Sequence, residues 1–386
     1  MLITIIIFIA VLSVLVSAHE WGHFFTARRF GVKAEEFGFG FPPRAIGLYK
    51  NRFNRWRLVK GTRDWDNLDS EVDETLRPAA KATIYSLNWL PIGGFVKIKG
   101  ENGDDRQAPD SFAAKKIWQR IIILVAGVVM NFVLAWILFS VAYLIGSPQT
   151  TSDLGKNARV LEQQVIIAAV LPDSVAEKAG LQSGDIVLKI NEQIIKTESD
   201  LQSLIGAAAG QETNLIIERS GEQLPVVVVP SAKDKERATI GINIFSSGLV
   251  SYPFWSALRE GALTIVWVVQ EIFRALGTLI ASVFKGIPVG DQFAGPIGIA
   301  NLTGQAADLG LSYLLQFMAL LSVNLAVINI LPFPALDGGR IIFLLFEKIY
   351  GRPIKKEVEN MVHNIGFLLL MLLVVFITYS DILKLF

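Results

Sequence analysis

The sequence predicts an α-helical membrane protein with about four transmembrane helices, a membrane-associated β-sheet or hairpin, and an inserted α/β domain. The 386 residues are 52% apolar and have a mean hydropathy of +0.46, which excludes an ordinary soluble protein. Four apolar runs, at about 2–26, 118–145, 311–334 and 363–380, are each near the length that crosses a bilayer. Between the second and third runs, residues 155–250 alternate short strand-like and helix-like patterns.

The first predicted helix, residues 1–27, ends in the motif HEWGH at residues 19–23. On a helix, His19 and His23 lie one turn apart on the same face, where two imidazole nitrogens can bind one tetrahedral Zn²⁺. Glu20 lies beside that face and can take a proton from a water at the metal without being a ligand. Charged residues follow the apolar run in place of a small-residue cleavage site, so we expect a retained helix and not a cleaved signal peptide.

Two features of the composition narrow the possible chemistry. The chain has no cysteine, which excludes disulfides and thiolate ligands and leaves His and carboxylate groups to hold any metal. Such a ligand set suits a catalytic zinc site better than a structural one.

The net charge is +1 and there is no basic surface with interleaved aromatic residues, so we expect no nucleic-acid partner.

The distribution of basic residues predicts the orientation in the membrane. From Arg28 to Arg120 the chain carries 18 Lys and Arg residues, which predicts a cytoplasmic loop at 28–116 and an N-terminus on the outer face. The second helix, 117–146, then leaves residues 155–250 outside the cytoplasm.

The third helix, 309–339, returns the chain to a second basic loop at 340–362, and the last helix, 363–386, crosses again. In this orientation His19 lies about 27 Å along a helix that starts at the outer face, and therefore near the cytoplasmic side. Ionisable groups at that depth are costly unless they face protein or water, so the position itself indicates a function.

The predicted cytoplasmic loop has two kinds of sequence. Residues 35–44 and 86–101 are strand-like and punctuated by Gly and Pro, and we expect them to form a sheet at the membrane surface. Residues 50–80 are highly charged, and we expect a flexible, solvated insertion there.

Residues 172–191 resemble the bacterial PDZ pattern, which implies one extracytoplasmic PDZ domain within 155–250. By that resemblance the domain offers a sheet edge that can bind a peptide or a protein tail as an added strand. A packing or size-filter domain without a ligand is the equally weighted alternative.

The region 251–308 is the ambiguous part of the predicted topology. Its apolar run 255–283 includes the charged residues Arg259, Glu260, Glu271 and Arg274, which are expensive inside a bilayer. If this run crossed, the third strong helix would end on the face opposite HEWGH. We therefore expect an amphipathic helix on the membrane surface.

A catalytic zinc site needs a third protein ligand. Asp337, in the segment NILPFPALDGGR at 329–340, follows the third helix and lies at the predicted depth of His19 and His23. Pro332 and Pro334 break the helix before it, which frees backbone polar groups that only a buried or wet site tolerates. His363, the only other His, is better explained as a polar residue at the membrane interface.

These motifs together resemble the site-2 protease family of the bacterial RseP type (peptidase family M50). The resemblance covers nearly the whole chain. It rests on the following segments: HExxH at 19–23, GFGF at 38–41, LPIGGFVKIKGE at 90–101, GPIGIA at 295–300, and Asn329, Pro332, Pro334, Leu336, Asp337 and Gly338 in the pattern NxxPxPxLDG.

The resemblance implies roles for individual residues. His19, His23 and Asp337 correspond to zinc ligands and Glu20 to the catalytic acid and base. Residues implied to bind the substrate are Asn329, Gly93, Gly94 and Phe95. Three departures stand out: Val128 replaces a usual Pro in the second helix, the 50–80 insertion has no clear counterpart, and there is room for one PDZ domain where some relatives have two.

The predicted function is therefore intramembrane zinc proteolysis of single-span membrane proteins, such as anti-sigma factors or remnant signal peptides, in a bacterial plasma membrane. Two alternatives are a non-catalytic membrane adaptor that binds tails through its PDZ domain, and an anchored zinc protease that cuts soluble peptides. The adaptor leaves HEWGH without a role, and the anchored protease requires a site outside the bilayer.

Overall fold

In the computed structural model of the protein, the described residues fall into two compact units, Met1–Phe139 with Ala262–Phe386, and Ser140–Gly261. The described residues are 2–61, 68, 75–76, 78–79, 82–103, 105–151, 154–155, 157–219, 221–231, 238–286 and 295–383.

The helices, in chain order, are α1 (Leu2–Arg29), α2 (Ile117–Ile145), α3 (Val175–Lys178), α4 (Glu198–Ala207), α5 (Phe254–Phe284), α6 (Pro296–Asp308), α7 (Leu311–Ile330), α8 (Asp337–Tyr350) and α9 (Lys356–Leu383). The strands are β1 (Ala34–Lys50), β2 (Trp56–Lys60), β3 (Ile84–Ile98), β4 (Ser147–Thr150), β5 (Arg159–Val170), β6 (Ile186–Ile190), β7 (Gln193–Ile194), β8 (Thr213–Arg219), β9 (Glu222–Val228) and β10 (Ile242–Ser251).

Among the described residues, five helices are long and apolar enough to cross a membrane: α1, α2, α5 over Phe254–Ser282, α7 and α9. The expected number of about four spans is therefore not confirmed, because α5 also meets the criteria of length and composition. Its expected place on the membrane surface stays a prediction.

Helix α7 starts at the same end of the first unit as α1. Gly304 of α6 packs so closely on Thr4 that a Cβ at Gly304 would lie 3.2 Å from the Thr4 hydroxyl oxygen, near the beginning of α1. Helix α7 begins seven residues later and ends at Ile330, and its Asn329 lies beside His19. The two helices therefore run in the same direction, as the predicted topology requires.

The sheet of the first unit is antiparallel, with strand order β2-β1-β3. The long strands β1 and β3 fold back on each other, so that Phe37 pairs with both Val96 and Tyr85. Residues 94–98 consequently form the outer edge of the sheet, and α1 runs along that edge.

Part of the expected flexible insertion at 50–80 is in fact a strand. Residues 56–60 form β2 and pair with the second half of β1. Trp56, Leu58 and Lys60 lie on one, exposed face and Val59 is buried on the other, an alternation that is typical of a strand. Asn51 is fully buried and accepts the backbone N–H of Arg55 at 2.9 Å, which closes this turn. Residues 62–67, 69–74, 77 and 80 lie outside the described part of the chain.

The unit Ser140–Gly261 contains the second sheet, ordered β4-β10-β5-β6-β8-β9 with β7 paired to β6. Its apolar core is lined by β5, β6, β8 and α4 and includes the fully buried Val165, Ile167, Leu215 and Ile217. A capping box formed by Thr197 and Asp200 starts α4. This is an α/β domain, as its sequence predicts.

A buried carboxylate links two strands of this domain. Asp185 is 1% exposed, accepts Arg219 Nε and Nη2 at 2.7 Å each, and accepts the Gln182 N–H at 2.8 Å. Burial by itself raises the pKa of Asp185, but these donors outweigh burial and hold the pKa below its ordinary value.

The lowered pKa of Asp185 predicts a loss of stability in acid. The carboxylate stabilises the folded domain above its unfolded pKa of about 3.9, and this contribution is lost as the pH falls through the lower, folded pKa. Asp185→Asn should remove this pH dependence and lower the domain's opening free energy at pH 7 by about 2 kcal/mol. Hydrogen exchange of residues 160–228 in the detergent-solubilised full chain measures both effects. The exposed Glu222→Gln is the control, and equal exchange in the two variants would contradict the prediction.

Candidate metal centre and active site

Helix α1 carries both histidines of HEWGH into the interior of the first unit. His19 and His23 are 6% and 7% exposed, and their rings meet edge to face with centroids 4.7 Å apart. Helix α2 approaches them closely because two glycines face each other there. A Cβ at Gly22 would overlap the main chain of Ala126, and a Cβ at Gly127 would overlap the His23 ring.

The turn after α7 brings Asp337 to the same place. Asp337 is the first residue of α8, and the two glycines that follow it permit a turn too tight for side chains. A Cβ at Gly338 would overlap the Leu331 carbonyl, and a Cβ at Gly339 would overlap the Phe333 carbonyl. The sequence LDGG therefore folds back on the end of α7 and points a carboxylate at the histidines.

Three possible ligand atoms converge at this point. Asp337 Oδ2 lies 3.1 Å from His19 Nε2 and 3.4 Å from His23 Nε2, and the two Nε2 atoms are 3.1 Å apart. Among the described residues, this is the group of His, Asp and Glu side chains whose geometry could hold a metal ion.

The arrangement fits Zn²⁺. Bonds of about 2.0–2.1 Å in a tetrahedron separate neighbouring ligand atoms by roughly 3.3 Å, close to the three distances here. His23 Nδ1 is 2.8 Å from the Ile123 carbonyl, which can only accept, so Nδ1 carries the proton and Nε2 presents a lone pair. The buried Asp337 Oδ2 makes no regular hydrogen bond among the described residues, as expected for an atom directed at a cation.

Glu20 lies between the metal centre and the edge of the first sheet. Its Oε2 accepts the backbone N–H of Val96, in β3, at 3.1 Å. Just beyond the end of β3, Glu101 forms an ion pair with Arg340 of α8. The sheet edge is thus connected both to the carboxylate of HEWGH and to the helix that begins at Asp337.

Of the four residues with an expected substrate role, Asn329 contacts a histidine of this centre and the other three lie in the sheet-edge strand beside α1. Asn329 Nδ2 is 3.5 Å from His19 Nε2. Gly93 and Gly94 lie against α1, where a Cβ would contact Val16 at 3.3 Å and the Ser17 hydroxyl at 3.2 Å, respectively. Phe95 follows in the same edge strand and pairs with Gly38.

His363 makes a hydrogen bond to the turn before Asp337, which sequence patterns did not predict. Its Nδ1 accepts the N–H of Ala335 at 2.8 Å, and Ala335 has the unusual positive φ of 77°. His363 is therefore no ligand here but supports the turn that carries Asp337. A polar cavity of about 310 Å³ lies beside it, lined by residues that include Glu101, Arg340 and Glu359.

Comparison with known proteins decides the family. The model of peptidase family M50 matches residues 7–59 and 75–373. The chain belongs to peptidase family M50. The expected relationship to the site-2 protease family is confirmed, and with it a zinc metalloendopeptidase whose cofactor is Zn²⁺.

Three similar M50 proteins are zinc metalloprotease RasP of Geobacillus kaustophilus, regulator of sigma-W protease RasP of Bacillus subtilis, and zinc metalloprotease RasP of Oceanobacillus iheyensis. The first is 29% identical over 463 residues, which cover 99% of this chain and 98% of the relative. The second is 29% identical over 465 residues, with 99% of each chain covered. The third is 30% identical over 440 residues, with 99% of each covered.

Among solved structures, the PDZ domain of an SdrC-like protein from Listeria monocytogenes is similar to 22% of this chain. It is 20% identical, 92% of that domain is covered, and the TM-score is 0.21. The PDZ assignment of residues 155–250 stays a prediction.

The close contact of α2 with the histidines predicts that Gly127→Ala disrupts the metal centre. The added methyl group would overlap the His23 ring and lie 2.8 Å from His19 Cε1, and the His23 ring cannot retreat without losing the Ile123 carbonyl. We expect zinc affinity to fall at least about 10-fold, as for loss of a group that orients a ligand. Chelator competition on the purified chain measures it. Gly277→Ala in α5, where a Cβ meets no atom within 4 Å, is the matched control, and equal affinities would refute the prediction.

Proposed function

We propose that this M50 protease cuts peptide bonds within transmembrane segments of single-span membrane proteins, in regulated intramembrane proteolysis. The observation that carries the proposal is the convergence of His19, His23 and Asp337 at the ends of two apolar helices. A site at that depth meets substrates within the bilayer or at its boundary.

The chemistry needs four side chains. His19, His23 and Asp337 would hold the metal, and bound Zn²⁺ supplies a Lewis acid that polarises the scissile carbonyl and acidifies water. Glu20 takes the proton of the attacking water at a carboxylate oxygen and passes it to the leaving amine. The Val96 N–H holds that carboxylate beside the centre.

The substrate has to be extended to be cut, because the hydrogen bonds of a helix shield its peptide groups. We propose that the edge strand at Gly93, Gly94 and Phe95, which lies beside α1, pairs with an unwound segment and satisfies the freed backbone groups. The amide of Asn329 lies at the centre and can hold one substrate carbonyl. We therefore propose substrates with helix-breaking residues near the cytoplasmic side.

The cellular setting follows from the predicted orientation. We propose a multi-pass protein of a bacterial plasma membrane, with the active site near the cytoplasmic side and residues 155–250 outside. The Bacillus subtilis relative carries the name regulator of sigma-W protease RasP. That name supports membrane-anchored regulators such as anti-sigma factors as substrates, and remnant signal peptides are a second candidate class.

The central test uses Glu20→Gln and Asp337→Ala in the purified full chain. Glu20→Gln should retain zinc and lose cleavage of a single-span substrate by at least about 100-fold, because the general acid and base is removed. Asp337→Ala should also lose bound zinc. Zinc content and product masses are measured together, with the exposed Glu222→Gln as control.

Two results would count against the proposal. Cleavage that survives in Glu20→Gln removes this mechanism. Product masses that locate the cut in a soluble tail, and not in the transmembrane segment, favour an anchored protease of soluble peptides. A non-catalytic adaptor, already disfavoured by membership of the family, would show no cleavage in any variant.

We further propose that the domain 155–250 binds an extended peptide or tail of the substrate as a PDZ domain does. A groove of about 410 Å³ runs between α4 and the stretch 239–244. Strand β10 pairs with β4 only from Ser247 onward, which leaves its edge at 242–245 without a paired strand among the described residues. The Ser246 N–H and C=O already bond to Glu198 and Thr151. Ile240 and Ile244 give the groove an apolar lining.

If the groove binds the substrate tail, a substitution that fills it should slow cleavage only of substrates that have the tail. Gln202→Trp places a bulky ring over the groove from the exposed face of α4 and should not disturb the core. Cleavage of a substrate with its extracytoplasmic tail should slow, while cleavage of the bare transmembrane segment should not. Gln202→Ala is the control. If Gln202→Trp cleaves both substrates as fast as Gln202→Ala does, the domain is a packing or filter element.

A further inference from the structure

One stripe of α2 faces both histidines of the metal centre. Ile123, Gly127 and Asn131 are spaced four residues apart and therefore lie on one side of the helix. The Ile123 carbonyl lies 2.8 Å from His23 Nδ1, and Gly127 leaves room for both rings. At the far end of the stripe, the Asn131 side-chain nitrogen Nδ2 lies 3.2 Å from His19 Nδ1.

Asn131 is fully buried and firmly held. Its exposed fraction is 0%, and its main-chain carbonyl accepts the hydroxyl of Ser322, also 0% exposed, at 2.8 Å. Ser322 belongs to α7, the helix that leads to Asn329 and the turn before Asp337. The carboxamide therefore has a fixed position relative to the whole centre.

The chemistry of His19 determines which atom Asn131 must present. If Nε2 of His19 gives its lone pair to the metal, its Nδ1 carries the proton and needs an acceptor. A carboxamide offers an oxygen or an NH₂ group at nearly the same place after a half turn. With the amide nitrogen toward His19, the buried Asn131 Oδ1 has no partner among the described residues. In the other orientation that oxygen accepts a hydrogen bond from the Nδ1–H of His19.

We propose that Asn131 is a positioning residue of the zinc site, whose side-chain oxygen accepts a hydrogen bond from the Nδ1–H of His19 and so directs the His19 Nε2 lone pair at the metal. It matches, for His19, the contact that the Ile123 carbonyl makes with His23. The inference rests on the proposed ligand role of His19. Partners of this kind fix the tautomer and orientation of a ligating imidazole, and their loss typically costs 10–100-fold in metal affinity.

The test compares Asn131→Leu with Asn131→Asp in the purified full chain. Leu has a similar size but accepts no hydrogen bond, so the zinc dissociation constant should rise about 10–100-fold. Asp accepts the same N–H and should bind zinc at least as tightly as the unchanged chain. Substitution with Co²⁺ adds a spectroscopic reading, because the visible bands report the ligand field: they should shift in the Leu variant and persist in the Asp variant.

Ser322→Ala tests whether zinc affinity depends on the packing of α2 against α7 and not on the Asn131 carboxamide. It removes the hydrogen bond to the Asn131 main chain and leaves the side chain in place, so zinc affinity should stay near that of the unchanged chain. Wild-type affinity in Asn131→Leu, or equal losses in the Leu and Asp variants, would overturn the proposal. An equal loss in Ser322→Ala would do the same, because it would assign the effect to packing.

His19→Ala tests the ligand role of His19 independently of the positioning role of Asn131. If it lowers zinc content while Asn131→Leu does not, the metal centre stands and only the positioning role fails. If His19→Ala leaves zinc bound, the ligand assignment itself is wrong.

Discussion

Two imidazole nitrogens and a carboxylate oxygen lie about 3 Å from one another, close enough to share one cation. The rest of the first unit maintains this grouping. Helix α1 supplies the two imidazoles, α2 supports them from behind, and the turn after α7 supplies Asp337. A divalent ion held by these three groups would join α1 to the turn after α7, so that metal binding and the packing of these helices would stabilise each other.

Glycine makes this grouping possible at two separate places. Gly22 and Gly127 let α1 and α2 approach until one helix contacts the main chain of the other. Gly338 and Gly339 let the LDGG turn close on the end of α7. Small residues are a general way for membrane helices to pack closely, because lipid offers no hydrophobic driving force between helices. Here close packing also brings ligand-supporting groups within hydrogen-bond distance.

Sequence patterns predicted the parts of the centre that depend on rare residue types at short spacing. HEWGH stands out in a chain with three His, and Asp337 follows from a carboxylate beside two helix-breaking prolines. The α/β domain and most long helices were also predictable from hydrophobic periodicity. Strand β2 was not, because its alternation is hidden within a highly charged segment.

The supporting groups were harder to predict for a physical reason. Ile123 acts through its main chain and Gly127 through the absence of a side chain, so neither has a chemical signature in the sequence. Asn131 was detectable, since it is the one polar side chain in the otherwise apolar stretch 121–139 of α2 and a carboxamide there needs a partner. For His363, a role as ligand and a role in supporting the Ala335 turn are indistinguishable until the turn is known.

The hydrogen bond from the Val96 N–H to the Glu20 carboxylate limits what can pair with the sheet edge at Val96. One backbone N–H donates one strong hydrogen bond, and in the free protein Glu20 receives it. The Glu20 carboxylate and a strand paired at Val96 would therefore need the same N–H donor, so that this hydrogen bond and strand pairing at Val96 exclude each other.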